Sequence, residues 1–227
     1  MLLLGLDTAT PAVTVALHDG GQPLAQLVAV DAHRHAELLA PAIAKVIADA
    51  GAERRDLTGI AVGVGPGPYT GLRVGIVTAK VLAAALDIPV YGVCTLDVIA
   101  ADVEGHDRFL VATDARRREL YWAEYDETGR QGAPQAGPPA GIPGRELPAA
   151  GEGPLLYPEL LPNGQAPTYP AATTLCRIAV AALTARSADA GIPGGPAGRV
   201  PELLPAEPLY LRRPDAREPG TPKRVTQ

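Results

Sequence analysis

Apolar and polar positions change period several times along the first hundred residues. Leu2–Leu6 is a short apolar run. Ala12–His18 alternates and is rich in β-branched residues, with Val13 and Val15 on one face, and Leu24–Val30 gives a third strand signal. Short turns at Asp7–Pro11 and Asp19-Gly20-Gly21 join these segments, which predicts an antiparallel meander. From His35 to Gly51 the period becomes helical, through Leu39, Ala42, Ile43, Val46 and Ile47. Pro41 falls inside it, and a mid-helix proline costs about 3 kcal/mol, so a kink or a later start is expected there. Gly51 is a natural stop. Ile60–Val64 then reads as a buried strand, Thr70–Leu86 as a helix and Val90–Val93 as a strand. Leu96–Val103 reads as a short helix with Thr95 as its N-cap. The order β-β-β-α-β-α-β-α predicts one mixed sheet with helices packed on it.

A second start follows. Arg108–Ala115 and Glu119–Asp126 form a new hairpin pattern, and Leu175–Ala188 a helix. Two lobes that each open on a hairpin predict an α/β two-lobe architecture with a reduced second copy. Proline sharpens the division, with six of 24 before residue 130 and eighteen after it. Segment 132–170 is therefore expected to be irregular with short extended pieces. The boundaries drawn are 1–105 for the first lobe, 106–212 for the second, and a tail at 213–227 expected to be disordered.

Charge narrows the function. The 227 residues carry a net −5. All of it lies in 1–105, which holds 6 Lys/Arg against 11 Asp/Glu. A simple basic nucleic-acid binder is excluded, because its affinity would rest on phosphate neutralisation. Two cysteines, Cys94 and Cys176, make no disulfide framework. With no leader pattern, and with Arg73, Lys80 and Asp87 interrupting the most apolar stretch, the expectation is a cytoplasmic protein without a membrane span.

Five features carry candidate chemistry. Asp7-Thr8-Ala9-Thr10 can offer a carboxylate to Mg²⁺ and hydroxyls to a phosphate, or be a plain turn. The Gly63–Gly71 loop precedes a helix, but Pro66 and Pro68 remove two N–H donors and it fits no nucleotide fingerprint, so it reads as a rigid structural loop. In the following helix Gly71, Gly75, Ala79 and Ala83 recur every four residues, while Leu72, Ile76, Val77, Val81 and Leu82 make most of the rest apolar. A sheet-packed helix needs one apolar stripe, so this one has apolar surface to spare for a partner. His33 and His35 are a weak metal signal, and no metal site is expected. Arg116-Arg117-Arg118 can contact phosphate or RNA, or be a solvated turn. Tyr121, Trp122 and Tyr125 beside it are expected to form the second lobe's small core.

Several stretches together resemble a known family. They are Leu4–Thr10 (LGLDTAT), Gly63–Gly75 (GVGPGPYTGLRVG), Gly92–Leu96 (GVCTL), Asp114–Tyr125 (DARRRELYWAEY) and Glu207–Arg212 (EPLYLR). The pattern resembles the TsaB (YeaZ-type) family of the actin/Hsp70/sugar-kinase superfamily, with a ribonuclease H-like fold. Pro68-Tyr69 stands where that family more often has Ser-Phe.

The resemblance implies a role in making threonylcarbamoyladenosine (t6A) in tRNA. It implies a non-catalytic scaffold beside a catalytic threonylcarbamoyl transferase paralogue (TsaD-type), with a P-loop ATPase (TsaE-type) joining and tRNA engaged indirectly. No catalytic residue is assigned. The expected partner interface is Leu39, Ile43, Val46 and Ile47 of one helix with Gly71, Leu72, Gly75, Ile76, Ala79 and Ala83 of the next. A homodimer on the same surface is expected without the partner. Gly75→Leu or Ala79→Glu is expected to break the heterodimer and spare the monomer's fold. Asp7, Thr8 and Thr10 are read as a vestigial phosphate hairpin, with Arg116 and Arg117 as candidate phosphate or RNA contacts. No cofactor is expected for the isolated chain, and ATP or ADP with Mg only in the complex. The rival reading is an enzyme acting alone, an actin-fold ATPase or a glycoprotease-type metallopeptidase.

Overall fold

Leu3–Asp7 (β1) and Ala12–His18 (β2) are buried along their whole length, as central strands covered on both faces must be. The computed structural model describes residues 1–189 and 202–211. β2 pairs antiparallel with β1 and with Pro23–Val30 (β3). Gly59–Gly63 (β4) and Val90–Val93 (β5) add in parallel, giving the order β3-β2-β1-β4-β5. The crossovers are His35–Asp49 (α1) and Tyr69–Leu86 (α2), both on the face that carries Leu4, Leu6, Val13, Val15, Leu17, Ile60 and Val62. α1 begins at His35 and carries Pro41 within it, so the helix does not start later. The carbonyl of Glu37 simply lacks its helical donor.

The other face of this sheet, through Leu3, Ala61 and Val93, is sealed by Ala172–Asp189 (α5) with Leu175, Cys176, Ile178 and Ala179. Chain order assigned that helix to the second lobe; packing gives it to the first sheet. Gly5 permits the contact, because a Cβ there would overlap Cys176 Sγ and lie 2.8 Å from the Ala172 carbonyl oxygen.

Arg108–Asp114 (β6), Leu120–Asp126 (β7), Gly129–Gly137 (β8) and Ala149–Ala150 (β9) form the second sheet, in the order β8-β7-β6-β9. β8 runs into the stretch expected to be irregular. It is an edge strand, where glycine and Pro134 are tolerated. Thr95–Ala100 (α3) packs between the sheets: Cys94, Leu96 and Ile99 meet Phe109, Val111, Ala123, Tyr125 and Ala150. Asp97 on α3 accepts from the Tyr125 hydroxyl at 2.7 Å and from Arg130 at 3.0 Å, and burial raises its pKa. The aromatic trio divides as strand alternation requires. Tyr121 and Tyr125 share one face, while Trp122 packs on the other, against the cluster of Leu110, Ala112, Leu120 and Leu161. One helical turn, Gly153–Leu156 (α4), follows β9.

Residues 202–211 return to the first sheet. Leu204 bridges Gly92, and the Leu209 N–H donates to the Val64 carbonyl at 2.8 Å. The 213–227 tail and the Gly191–Gly198 segment lie outside the described residues.

Candidate functional site

Asp7 ends β1 fully buried, and its carboxylate is committed inside the chain. One oxygen accepts from the Ala9 N–H and the other from the Thr95 hydroxyl, each at 2.7 Å. Burial raises its pKa to about 6, against the lowering effect of those two bonds. Thr95 in turn accepts from the Gly65 N–H at 3.1 Å. Thr95 is thus no N-cap: Cys94 holds that position, and the Thr95 hydroxyl ties α3 to the β1 terminus and the Gly63–Gly71 loop. The Thr8 hydroxyl donates to the Gly71 carbonyl at 2.7 Å, and Thr10 Oγ1 accepts from the Ala12 N–H. His35 contacts the Thr10 carbonyl at 2.8 Å through Nε2.

These residues do not fit a nucleotide phosphate or its Mg²⁺. Asp7, Thr8 and Thr10 are each at most 3% exposed, and their side chains bond within the chain. Glycines let the covering loop come this close. A Cβ at Gly63 would overlap the Asp7 carboxylate, and one at Gly67 would overlap the Ala9 carbonyl. The hairpin that the sequence reads as a vestigial phosphate site is, in the structure, a buried clamp.

The second hairpin is different. Arg116, Arg117 and Arg118 are exposed, at φ of +59°, +54° and +62°, a left-handed run that glycine would adopt without strain. Asp114 holds it from below: its Oδ1 accepts from the Arg116 N–H at 2.7 Å, and the Arg116 guanidinium lies 3.3 Å from Oδ2. Arg116 therefore already has a carboxylate partner.

The interface expectation needs correction at the residue level. Gly71, Leu72, Gly75, Ile76, Ala79 and Ala83 are the buried face of α2. A Cβ at Gly71 would sit 2.5 Å from the Thr8 carbonyl oxygen, and one at Gly75 would overlap Thr8 Oγ1. Their small size lets α2 lie directly on the β1–β2 turn of its own lobe. Leu39 and Val46 on α1 are buried in the same core.

The spare apolar surface lies on the opposite side of the helix. Val77 is 55% exposed and Val81 63%. They line a groove of about 900 Å³ between α1 and α2. Ala40, Ala44 and Ala48 stand on the α1 side, Val77, Val81 and Ala85 on the α2 side, with Ile43 and Ile47 along it and Arg54 and Arg55 beside it. Ile43 and Ile47 are thus the two expected interface residues that border accessible space. The column continues to Tyr69, which Arg73 covers at 4.0 Å and Tyr210 stacks on at 5.2 Å. Val77 and Val81 were legible as apolar positions. What hid their exposure was the small-residue stripe, which could equally well pack on a foreign helix or on the chain's own turn.

Among the described residues no group of three or more His, Cys, Asp or Glu is placed to hold a metal ion. Cys94 and Cys176 are free and buried, and burial pushes both thiols up to about 12.

A meander followed by two parallel crossovers, with a reduced second sheet joined through α3, defines the ribonuclease H-like, actin-type α/β class. The threonylcarbamoyl transferase model (TsaD: tRNA N6-adenosine threonylcarbamoyltransferase) matches residues 28–173. The structure resembles YeaZ from Pseudomonas aeruginosa with a TM-score of 0.73 and 31% identity, over 92% of this chain and 99% of that one. An uncharacterized protein of Mycobacterium tuberculosis is 41% identical over 95% of this chain and 93% of its own length. The tRNA threonylcarbamoyladenosine biosynthesis protein TsaB of Escherichia coli is 38% identical over 57% of this chain and 58% of its own. The chain belongs to the TsaB (YeaZ-type) family.

Proposed function

We propose that this chain is a non-catalytic partner subunit in tRNA t6A modification, and that its α1–α2 groove seats the equivalent helices of a threonylcarbamoyl transferase paralogue. The observation that carries the reading is the exposure of Val77 and Val81 beside an apolar groove. Covering each valine would contribute about 1–2 kcal/mol. Two related folds can set helix pairs against each other as a four-helix contact, and the match of this chain to the transferase model supports such a pairing. The closed Asp7–Thr10 hairpin supports the absence of stand-alone nucleotide hydrolysis. In this reading ATP or ADP with Mg acts only in the complex, a small P-loop ATPase joins it, and tRNA is bound through the assembly. The two free, buried cysteines suit a reducing cytoplasm.

Co-expression with the candidate transferase, followed by size-exclusion chromatography and a tRNA-modification assay, tests the reading. Co-elution and a t6A yield that depends on this chain support it. Full modification without the chain, or micromolar Mg-ATP binding by the isolated chain, overturns it.

A further inference from the structure

α2 presents charge of one sign to solvent. Arg73 and Lys80 are exposed on it, and its sequence holds no Asp or Glu. The two cations are seven residues apart, close to two full turns, so they share one flank about 10.5 Å apart along the axis. The exposed Val77 and Val81 run beside them. Carboxylates nearby are already occupied: Glu37 pairs with Arg34, Asp49 with Lys45 and Glu53 with Arg55, each at 2.9 Å. Asp87 is the left-handed C-cap, beyond the last turn of α2. Among the described residues no carboxylate pairs with Arg73, Lys80 or Arg54. The half of the chain that carries the whole net negative charge thus borders its apolar face with uncompensated cations.

Arg73 is also held in place. Its guanidinium lies over the Tyr69 ring at 4.0 Å, and its Nε donates to the Tyr210 hydroxyl at 3.3 Å. Tyr210 reaches this point because the 202–211 segment is tied back to the first sheet, by Leu204 across Gly92 and by the Leu209 N–H to Val64. The two restraints fix the plane of the guanidinium and leave its terminal nitrogens as unused donors among the described residues, a preset fork that matches a carboxylate.

We propose that Arg73 and Lys80 form a charged rim that takes carboxylates from the docked helix of the transferase paralogue, with Tyr210 positioning Arg73. This rests on the docking face proposed above and adds the chemistry its partner must show: a helix apolar along its middle and acidic on the flank that meets Arg73 and Lys80. A nucleic acid would neutralise the cations but leave Val77 and Val81 in water. A second copy would bring valines and further cations, because α2 has no carboxylate and Glu37 and Asp49 of α1 are paired. An amphipathic helix with an acidic flank satisfies both features at once.

Binding kinetics of the full chain with the transferase paralogue, at about 50 and about 300 mM salt, test this. Wild-type association should slow several-fold at the higher salt. Lys80→Glu should associate about 10-fold more slowly and lose most of the salt dependence. Arg73→Ala should dissociate about 10-fold faster, and Arg73→Lys should not restore the rate, because lysine lacks the fork. Tyr210→Ala should dissociate like Arg73→Ala, and Tyr210→Phe, which keeps the ring, should fall between it and the wild type. Arg73 and Lys80 are exposed, so their variants should melt with the wild type. Salt-independent association, or Arg73→Ala and Lys80→Glu variants that bind at least as tightly as the wild type, would overturn the inference. If a Val77→Asp, Val81→Glu double variant still loses binding in that case, the docking face stands and its charged rim alone falls. If that variant binds normally too, the docking face falls with it.

Discussion

The hydroxyl of Thr8 donates to the carbonyl of Gly71 at 2.7 Å, across 63 residues of sequence. That bond places the first turn of α2 directly on the β1–β2 turn, and Gly75 lies one helical turn further along the same contact. The stripe of small residues is therefore an internal packing device.

Gly75→Leu and Ala79→Glu should consequently destabilise the monomer itself rather than merely free it from a partner. Overpacking costs about 1–3 kcal/mol, and a carboxylate at Ala79, which is fully buried, has no paired environment. Urea denaturation should show both variants with a midpoint shifted to lower urea. Val81→Glu, on the exposed side, should stay within about 0.5 kcal/mol of the wild type.

Asp7 makes stability depend on pH. Its folded pKa of about 6 lies above the usual 3.8, so the native state binds the proton more tightly. Its stabilising contribution is complete below pH 4 and is lost as pH rises through 6. The full effect is roughly 3 kcal/mol. Glu152, raised to about 7 by burial and then by nearby Asp114, acts with the same sign up to pH 7. Asp7→Asn and Glu152→Gln should each flatten the stability profile between pH 4 and 7.5, measured by urea midpoints across that range. A slope as steep as the wild type's in both would refute the assignment.

Thr95→Val should remove the hydroxyl that bonds Asp7 and accepts from Gly65. Leaving a buried donor and a buried acceptor unmet costs about 1–3 kcal/mol. Because the Thr95 bond lowers the Asp7 pKa, the loss should be larger at pH 7.5 than at pH 5. Equal losses at the two pH values would count against this coupling.

The first sheet was largely legible, because its period changes sharply and its turns are short. Ala12–His18 and Val90–Val93 coincide with β2 and β5, and the two long helices fall within a few residues of their observed ends. β8 was obscured by Gly132 and Pro134, which an edge strand tolerates and a sequence pattern counts as breaks. The site was half legible. Apolar surplus on α2 predicts an uncovered face, but helical period alone does not say which face meets the sheet. That choice is made by Thr8 and Gly71, two distant residues whose contact no local pattern records. The same holds for Thr95, whose cap chemistry is drawn instead to Asp7, 88 residues away.

The most direct test is calorimetric titration of the transferase paralogue with the wild type and with a Val77→Asp, Val81→Glu double variant. The account predicts that the variant melts like the wild type and binds at least about 100-fold more weakly, as loss of central apolar anchors does. Binding at wild-type affinity by the folded variant would contradict it.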